Sequence, residues 1–248
     1  YNSQIKYGVS MISKRDSDSW MWLKLLCLTI IATIVVEHSQ FDVFISELFY
    51  SNGHWLLQKG AQPFAFILYD GPKLLLIIFG VYLMILLAWR YWQKRHSNPM
   101  SAQLFFAKPV GAFSSRELGY LLTIIIIVPT VVAILKGITH VSCPNHLMLF
   151  DGDMPYVTLW QSILAKTDAK CFPAAHASAG FSLYGLAFLP TLHKYRYRLF
   201  AIVTILGWTM GIYKMSFGDH FFSHTLVSML LSLTIACGLA SVFFKRAA

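Results

Sequence analysis

The sequence predicts an all-α integral membrane protein of six transmembrane helices with both termini in the cytoplasm. Three observations carry this. Hydrophobic residues make up 56% of the 248 and charged ones only 12%, half the charged share of an average soluble domain, which excludes an ordinary water-soluble fold. The apolar residues gather in six runs, each close to the length that crosses a bilayer. The Lys and Arg residues also partition unevenly between the two sides that these runs define. Lys59, Lys73, Lys136, Lys166, Lys170 and Lys214 fall on one side; the other fourteen of the twenty lie on the side of the termini. The positive-inside rule places the termini side in the cytoplasm. A net charge of +9 scattered between apolar segments, with no basic stripe or arm, argues for membrane orientation rather than nucleic-acid binding.

Residues 1–19 are polar and are read as a cytoplasmic N-terminal segment, and residues 20–248 as a single membrane domain. The first run, Trp20–Val36, continues too far for the core of a cleavable signal. Residues 37–73 mix Phe41, Phe44, Phe49, Tyr50, Trp55, Phe64 and Tyr69 with glycine, proline and a few charges. They are expected to form an interfacial helical segment, because aromatic rings favour the membrane–water boundary. The second span is expected at Leu74–Trp92, followed by a basic loop to Arg116. The third, Leu118–Leu135, contains Pro129, which predicts a kink. A polar loop of about forty residues leads to the fourth span at Ala174–Leu192. The basic turn 193–198 then precedes spans at Leu199–Tyr213 and Phe221–Phe244.

Three polar islands interrupt this pattern, all on the non-cytoplasmic side: Lys136 to Pro144, Cys171 to His176, and Lys214 to His224. Ionisable groups at span ends are costly and point to function. Lys136 and Lys214 suit an anion such as phosphate, and histidines on different elements suit acid–base or nucleophilic chemistry. The bland readings are also definite. Lysines at span ends snorkel to the interface, and His140 and His146 lie in the loop, where histidines are more often solvated. His220 and His224 have the i,i+4 spacing of zinc ligands on a helix, yet no acid follows the first and no third ligand is evident, so no metal is expected. Cys27 and Cys237 lie inside spans as packing residues. Cys143 and Cys171 are the exterior pair, and in an oxidising compartment a bridge between them is expected.

These islands resemble the three signatures of the type 2 phosphatidic acid phosphatase superfamily. The first signature is Lys, six residues, then Arg-Pro; this chain has Lys136 and then Cys143-Pro144. The second is Pro-Ser-Gly-His, which stands here as Pro173-Ala174-Ala175-His176. The third is Ser-Arg, five residues, His, three residues, Asp; here it is Tyr213-Lys214, His220 and His224. The resemblance spans about residues 117–230 and includes order, span-end placement and the six-span layout. It implies that His220 attacks phosphorus to form a phosphohistidine, that His176 protonates the leaving oxygen, and that Lys136 and Lys214 hold phosphate oxygens. It puts His224 where the family carboxylate orients the nucleophile, with Asp219, Asp151 or Asp153 as possible sources of the missing negative charge. A Cys143–Cys171 bridge would then supply the register normally held by the absent Arg.

The implied activity is metal-independent, cofactor-free removal of phosphate from a lipid monoester or pyrophosphate. The candidate substrates are lipid A, undecaprenyl pyrophosphate and phosphatidylglycerol phosphate, with lipid A favoured by the aromatic segment. The setting would be the periplasmic face of a bacterial inner membrane, with the bilayer and a phosphorylated membrane lipid as partners and no nucleic acid. A lipid phosphotransferase using the same intermediate and a non-catalytic lipid-binding protein on a decayed phosphatase scaffold are the alternatives.

Overall fold

A computed structural model describes residues 20–96 and 111–244. The N-terminal segment 1–19, most of the basic loop before Arg116, and Lys245 and Arg246 lie outside the described residues. The chain is mostly helical. α1 (Met21–Glu37) and α2 (Phe41–Glu47) lead to a two-stranded hairpin, β1 (Tyr50–Ser51) against β2 (His54–Trp55). A π-helical turn (Phe66–Asp70) opens into α3 (Gly71–His96), and α4 (Ser115–Thr139) follows. Short helix α5 (Leu159–Ala165) lies in the loop before α6 (Ala175–Phe181), and α7 (Arg196–Met215) and α8 (Phe222–Phe243) complete the chain.

Among the described residues three segments, 66–95, 115–146 and 222–243, are long and apolar enough to cross a membrane; α1 and α2, bent by 69° at their junction, make a fourth if the pair is one span. α7 and the 174–192 segment fall short by that measure. The expected fourth span is in fact composite: α6 has only seven residues, and 3-10 turns continue it over Ser182–Phe188 and Pro190–Tyr195. Along it Ser178 Oγ donates to the Ala175 carbonyl at 2.7 Å and Ser182 Oγ to that of Ala179 at 2.6 Å. Pro190 has no backbone donor to continue a helix. A 3-10 turn rises about 2.0 Å per residue against about 1.5 Å in an α-helix, so fewer residues cover a given depth.

Two other boundaries differ from expectation. The segment after the first span is helical at α2, doubles back through the hairpin, and becomes helical again from Phe66. The second span starts at Phe66, eight residues before Leu74, because the π-helical turn Phe66–Asp70 runs directly into α3; Pro72 falls in the first turn of α3, where its missing N–H costs least. α4 runs continuously through Pro129.

α4 is the central pillar. Its start is locked by a capping box: Ser114 Oγ accepts from Glu117 N at 3.2 Å while the Glu117 carboxylate accepts from Ser114 N at 2.8 Å. Leu118, Tyr120, Ile124 and Val128 on this helix are buried against Phe181 and Tyr184. Tyr120 Oη donates across the core to the Ala236 carbonyl of α8 at 2.8 Å. Close approach of α6 and α7 depends on Gly207, where a Cβ would stand 2.1 Å from the Phe181 ring. Meanwhile Ile30, Ile34, Leu75, Ile78, Ile85, Ile134 and Ile205 are exposed, as a lipid-facing surface requires. This packing brings the C-terminal end of α4 and the N-terminal ends of α6 and α8 to one face, with the α7–α8 turn between them.

Candidate active site

Each polar island is held in place by backbone bonds to another. α4 ends where His140 takes a left-handed φ of 53°, leaving Lys136 in the last turn, a position where the helix macrodipole favours a cation. Beyond it, Cys143 and Cys171 form a disulfide with Cα atoms 5.3 Å apart. Cys171 N donates to the Val141 carbonyl at 2.9 Å, and Asn145 N donates to the Gly218 carbonyl at 3.0 Å. The first island thus touches both of the others. Ala174 N, at the start of α6, donates to the His224 carbonyl at 3.1 Å, which ties the second island to the third. Gly218 has φ +74°, and a Cβ there would lie 2.5 Å from the Trp55 ring, so the hairpin seals the α7–α8 turn only because that residue is glycine.

Within this frame His220 is 3% exposed and His224 2%. Their Nδ1 atoms face each other at 3.4 Å. Burial holds the His220 imidazole well below the ordinary histidine range, and the positive fields of His224, Lys136, His176 and Lys214 push the same way. His176, in the first turn of α6, stacks on Tyr69 with ring centroids 4.3 Å apart. Its Nδ1 is buried without a hydrogen-bond partner, an uncompensated donor or acceptor of the kind a substrate satisfies.

Lys214 Nζ lies 2.8 Å from Asp219 Oδ2, 4.5 Å from the Tyr69 ring centroid and 5.0 Å from that of Phe217. Lys59 Nζ sits 3.5 Å from Asp219 Oδ1. Asp219 therefore carries a charge partner for Lys214, with Asn145 Nδ2 also donating to it at 3.4 Å, and is not engaged with either His220 or His224. Asp151 accepts instead from Tyr50 Oη at 2.6 Å. His140 Nδ1 lies 2.5 Å from the Thr167 carbonyl, a loop contact, and His146 is exposed. Among the described residues no group of three or more His, Cys, Asp or Glu is arranged to hold a metal ion.

Three site features were invisible as such in the sequence. Tyr69, read as one of many interfacial aromatics, lies between His176 and Lys214. Lys59 reaches the site from the hairpin side. Asp42, on α2, is 5% exposed; its carboxylate accepts from Ser223 N at 2.8 Å and from Ser223 Oγ, so it caps α8 from outside that helix. An acidic residue just after an apolar span was the only available signal for Asp42.

A cavity of about 430 Å³ opens beside His176. Lys73 and Leu76 of α3, Ile125 of α4, Ala179 of α6 and Met210 of α7 contribute to its wall, which is almost wholly apolar. This size is that of a pocket for a small organic group or chain.

A family profile described as the PAP2 superfamily matches residues 117–248, more than half of the chain. No curated protein and no solved structure matches the chain significantly. The profile begins at the capping glutamate of α4 and includes all three polar islands, and on that match the chain belongs to the PAP2 superfamily.

Proposed function

We propose that the protein is a membrane lipid phosphatase working through a phosphohistidine. Membership of the PAP2 superfamily supports phosphatase or phosphotransferase chemistry on a phosphate ester. The observation that carries the lipid reading is that His176, the member of the polar cluster whose buried Nδ1 lacks a partner, also lines the apolar cavity. A phosphate head would sit among the cations while its chain lies between α3 and α4.

In the proposed cycle Nε2 of neutral His220 attacks phosphorus. The N–P bond forms as the bond to the leaving oxygen breaks, and protonated His176 gives that oxygen its proton. Lys136 and Lys214 stabilise the equatorial oxygens, Lys214 as a point charge rather than as the bidentate fork an Arg would offer. Water then attacks phosphorus and loses a proton to His176, and the N–P bond breaks to restore His220. The products are the dephosphorylated lipid and inorganic phosphate, with no metal in either step.

The proposed setting is six spans, counting α1 with α2, the composite 174–195 segment and α7. Both termini are then cytoplasmic and the site faces the periplasm of a bacterial inner membrane. Candidate substrates are lipid A, undecaprenyl pyrophosphate and phosphatidylglycerol phosphate. The test is phosphate release from each by purified protein in detergent containing EDTA, beside His220→Ala. EDTA-resistant release that the variant loses is expected. Absence of release from all three would favour a non-catalytic lipid-binding protein. Transfer of phosphate to a second lipid instead of water would make it a phosphotransferase.

A further inference from the structure

Tyr69 belongs to the π-helical turn Phe66–Asp70, which closes where Gly71 N donates to the Phe66 carbonyl. A turn of this kind adds one residue to a helical repeat and recurs at functional sites. Gly71 is what permits it here. A Cβ at that position would stand 2.8 Å from the same Phe66 carbonyl oxygen, closer than such atoms pack. From this turn Tyr69 packs on a buried cluster of Ala65, Tyr213 and Phe217, which brings it to the C-terminal end of α7.

Two groups from other elements meet this one ring. The His176 imidazole of α6 has its centroid 4.3 Å away with the planes 39° apart, nearer to stacking than to an edge-on contact. Lys214 Nζ of α7 lies 4.5 Å from the same ring centroid. Both fall within the range at which an aromatic face attracts a cation. Both contacts are with the ring rather than the hydroxyl. His176 Nδ1 is buried without a hydrogen-bond partner, so the bond that ordinarily aims a working imidazole is missing at that nitrogen. The phosphohistidine cycle also asks for a protonated His176 near a charged Lys214, and two like charges repel. The negative face of Tyr69 attracts each of them and offsets part of that repulsion.

We propose that Tyr69 is a positioning residue: its ring aims His176, the acid for the leaving oxygen, and holds Lys214 beside it for the phosphate. Tyr69 acts through these two groups and itself touches no reacting atom. The assignment rests on the phosphatase reading for the tasks of His176 and Lys214, whereas the two ring contacts stand without it. An aromatic that merely filled the membrane interface would be replaceable by another apolar side chain. A ring that clamps two cations is not.

Three variants test this in detergent. Tyr69→Phe keeps the ring, Tyr69→Leu keeps apolar bulk without it, and Gly71→Ala disturbs the π-turn with Tyr69 intact. Phosphate release is followed on dodecyl phosphate, whose leaving oxygen needs a proton, and on p-nitrophenyl phosphate, whose leaving group departs as a stable anion. Tyr69→Phe should retain kcat/KM within about threefold on both. Tyr69→Leu should lower it about thirtyfold or more on the dodecyl ester, a loss about tenfold greater than on the aryl ester. Gly71→Ala should show the same bias between the esters, and it decides the matter should Tyr69→Leu not fold. Equal losses on the two esters, or a Tyr69→Phe as impaired as Tyr69→Leu, would overturn the proposal. The contact itself is read without turnover from the ring protons of His176 by NMR of histidine-labelled protein, assigned with His176→Gln. Their ring-current displacement should persist in Tyr69→Phe and vanish in Tyr69→Leu; resonances unmoved in Tyr69→Leu would overturn the proposal as well. The expected spectra in a protein that releases no phosphate from either ester would support the clamp and sink the phosphatase reading instead.

Discussion

At the residue scale the candidate site holds a deeply buried histidine, and its properties follow from that burial first and from nearby positive charge second. His220 is held below the usual histidine range by burial first and its cationic neighbours second. A depressed value keeps the imidazole unprotonated to lower pH, so the acid limb of kcat/KM that reports the free nucleophile should lie below about 6.5. A profile falling off already above pH 7 on the acid side would contradict this. The same sign applies to stability. The unfolded chain binds a proton at His220 before the folded one does, so stability is lost as pH falls below about 6.5. Lys214 presents a second case, because Asp219 sits on it at 2.8 Å. A substrate phosphate must share that cation with a carboxylate, so Asp219→Asn should lower KM for the lipid by about two- to fivefold, an effect of about 0.5–1 kcal/mol. The effect should shrink as salt is raised, and a KM that rises instead would show that Asp219 holds Lys214 in its working position.

Among the helices, the geometry of the candidate site depends on how three helix ends are terminated. α4 carries its own capping box, and the identities of Ser114 and Glu117 make that legible from sequence. α8 does not: Phe221 is its N-cap and has no side chain to offer, so Asp42 from α2 supplies the acceptor. Asp42→Ala leaves buried Ser223 N–H without its partner, at a cost of about 1–3 kcal/mol. The expected outcome is a lower thermal midpoint in detergent together with reduced kcat, since Ser223 directly precedes His224. A variant with unchanged melting would show that α8 is held by packing alone. α6 is short because the chain passes into 3-10 geometry at Ser182 and restarts at Pro190. Apolar composition marked residues 174–192 as one span, but hydropathy does not register a change of helix type.

For the whole molecule, the apolar cavity beside His176 connects the site to the lipid-facing surface between α3 and α4. Gly80 lines this cavity, and a Cβ added there would meet Ile125 Cγ2 first, at 3.9 Å, so there is room for a side chain at the expense of the cavity. Gly80→Leu should raise KM about tenfold or more for a long-chain lipid phosphate and leave a short, water-soluble phosphate ester unaffected. Equal losses on both would mean that the chain lies elsewhere. The Cys143–Cys171 bridge closes a loop with a sequence separation of 28, and in the chain-entropy view contributes about 3–4 kcal/mol. Reduction should therefore lower the unfolding temperature measurably, and an unchanged midpoint would show that the backbone bonds of the loop suffice.

The sequence alone determined the helical membrane class, because apolar content and run length are one-dimensional quantities. It also determined the order and common side of the three polar islands, since these depend on residue identity and spacing. His176, His220, Lys136 and Lys214 were legible for that reason, and α4 could be read from its cap. Only the tertiary structure decided where Asp219 and Asp42 spend their charge, because each is paired with residues on a turn or helix whose approach spacing cannot encode. The same holds for Tyr69 between His176 and Lys214, and for the bond from Ala174 N to the His224 carbonyl. A site assembled at the ends of several helices is a matter of three-dimensional convergence, and the chain reveals its parts before it reveals which part faces which.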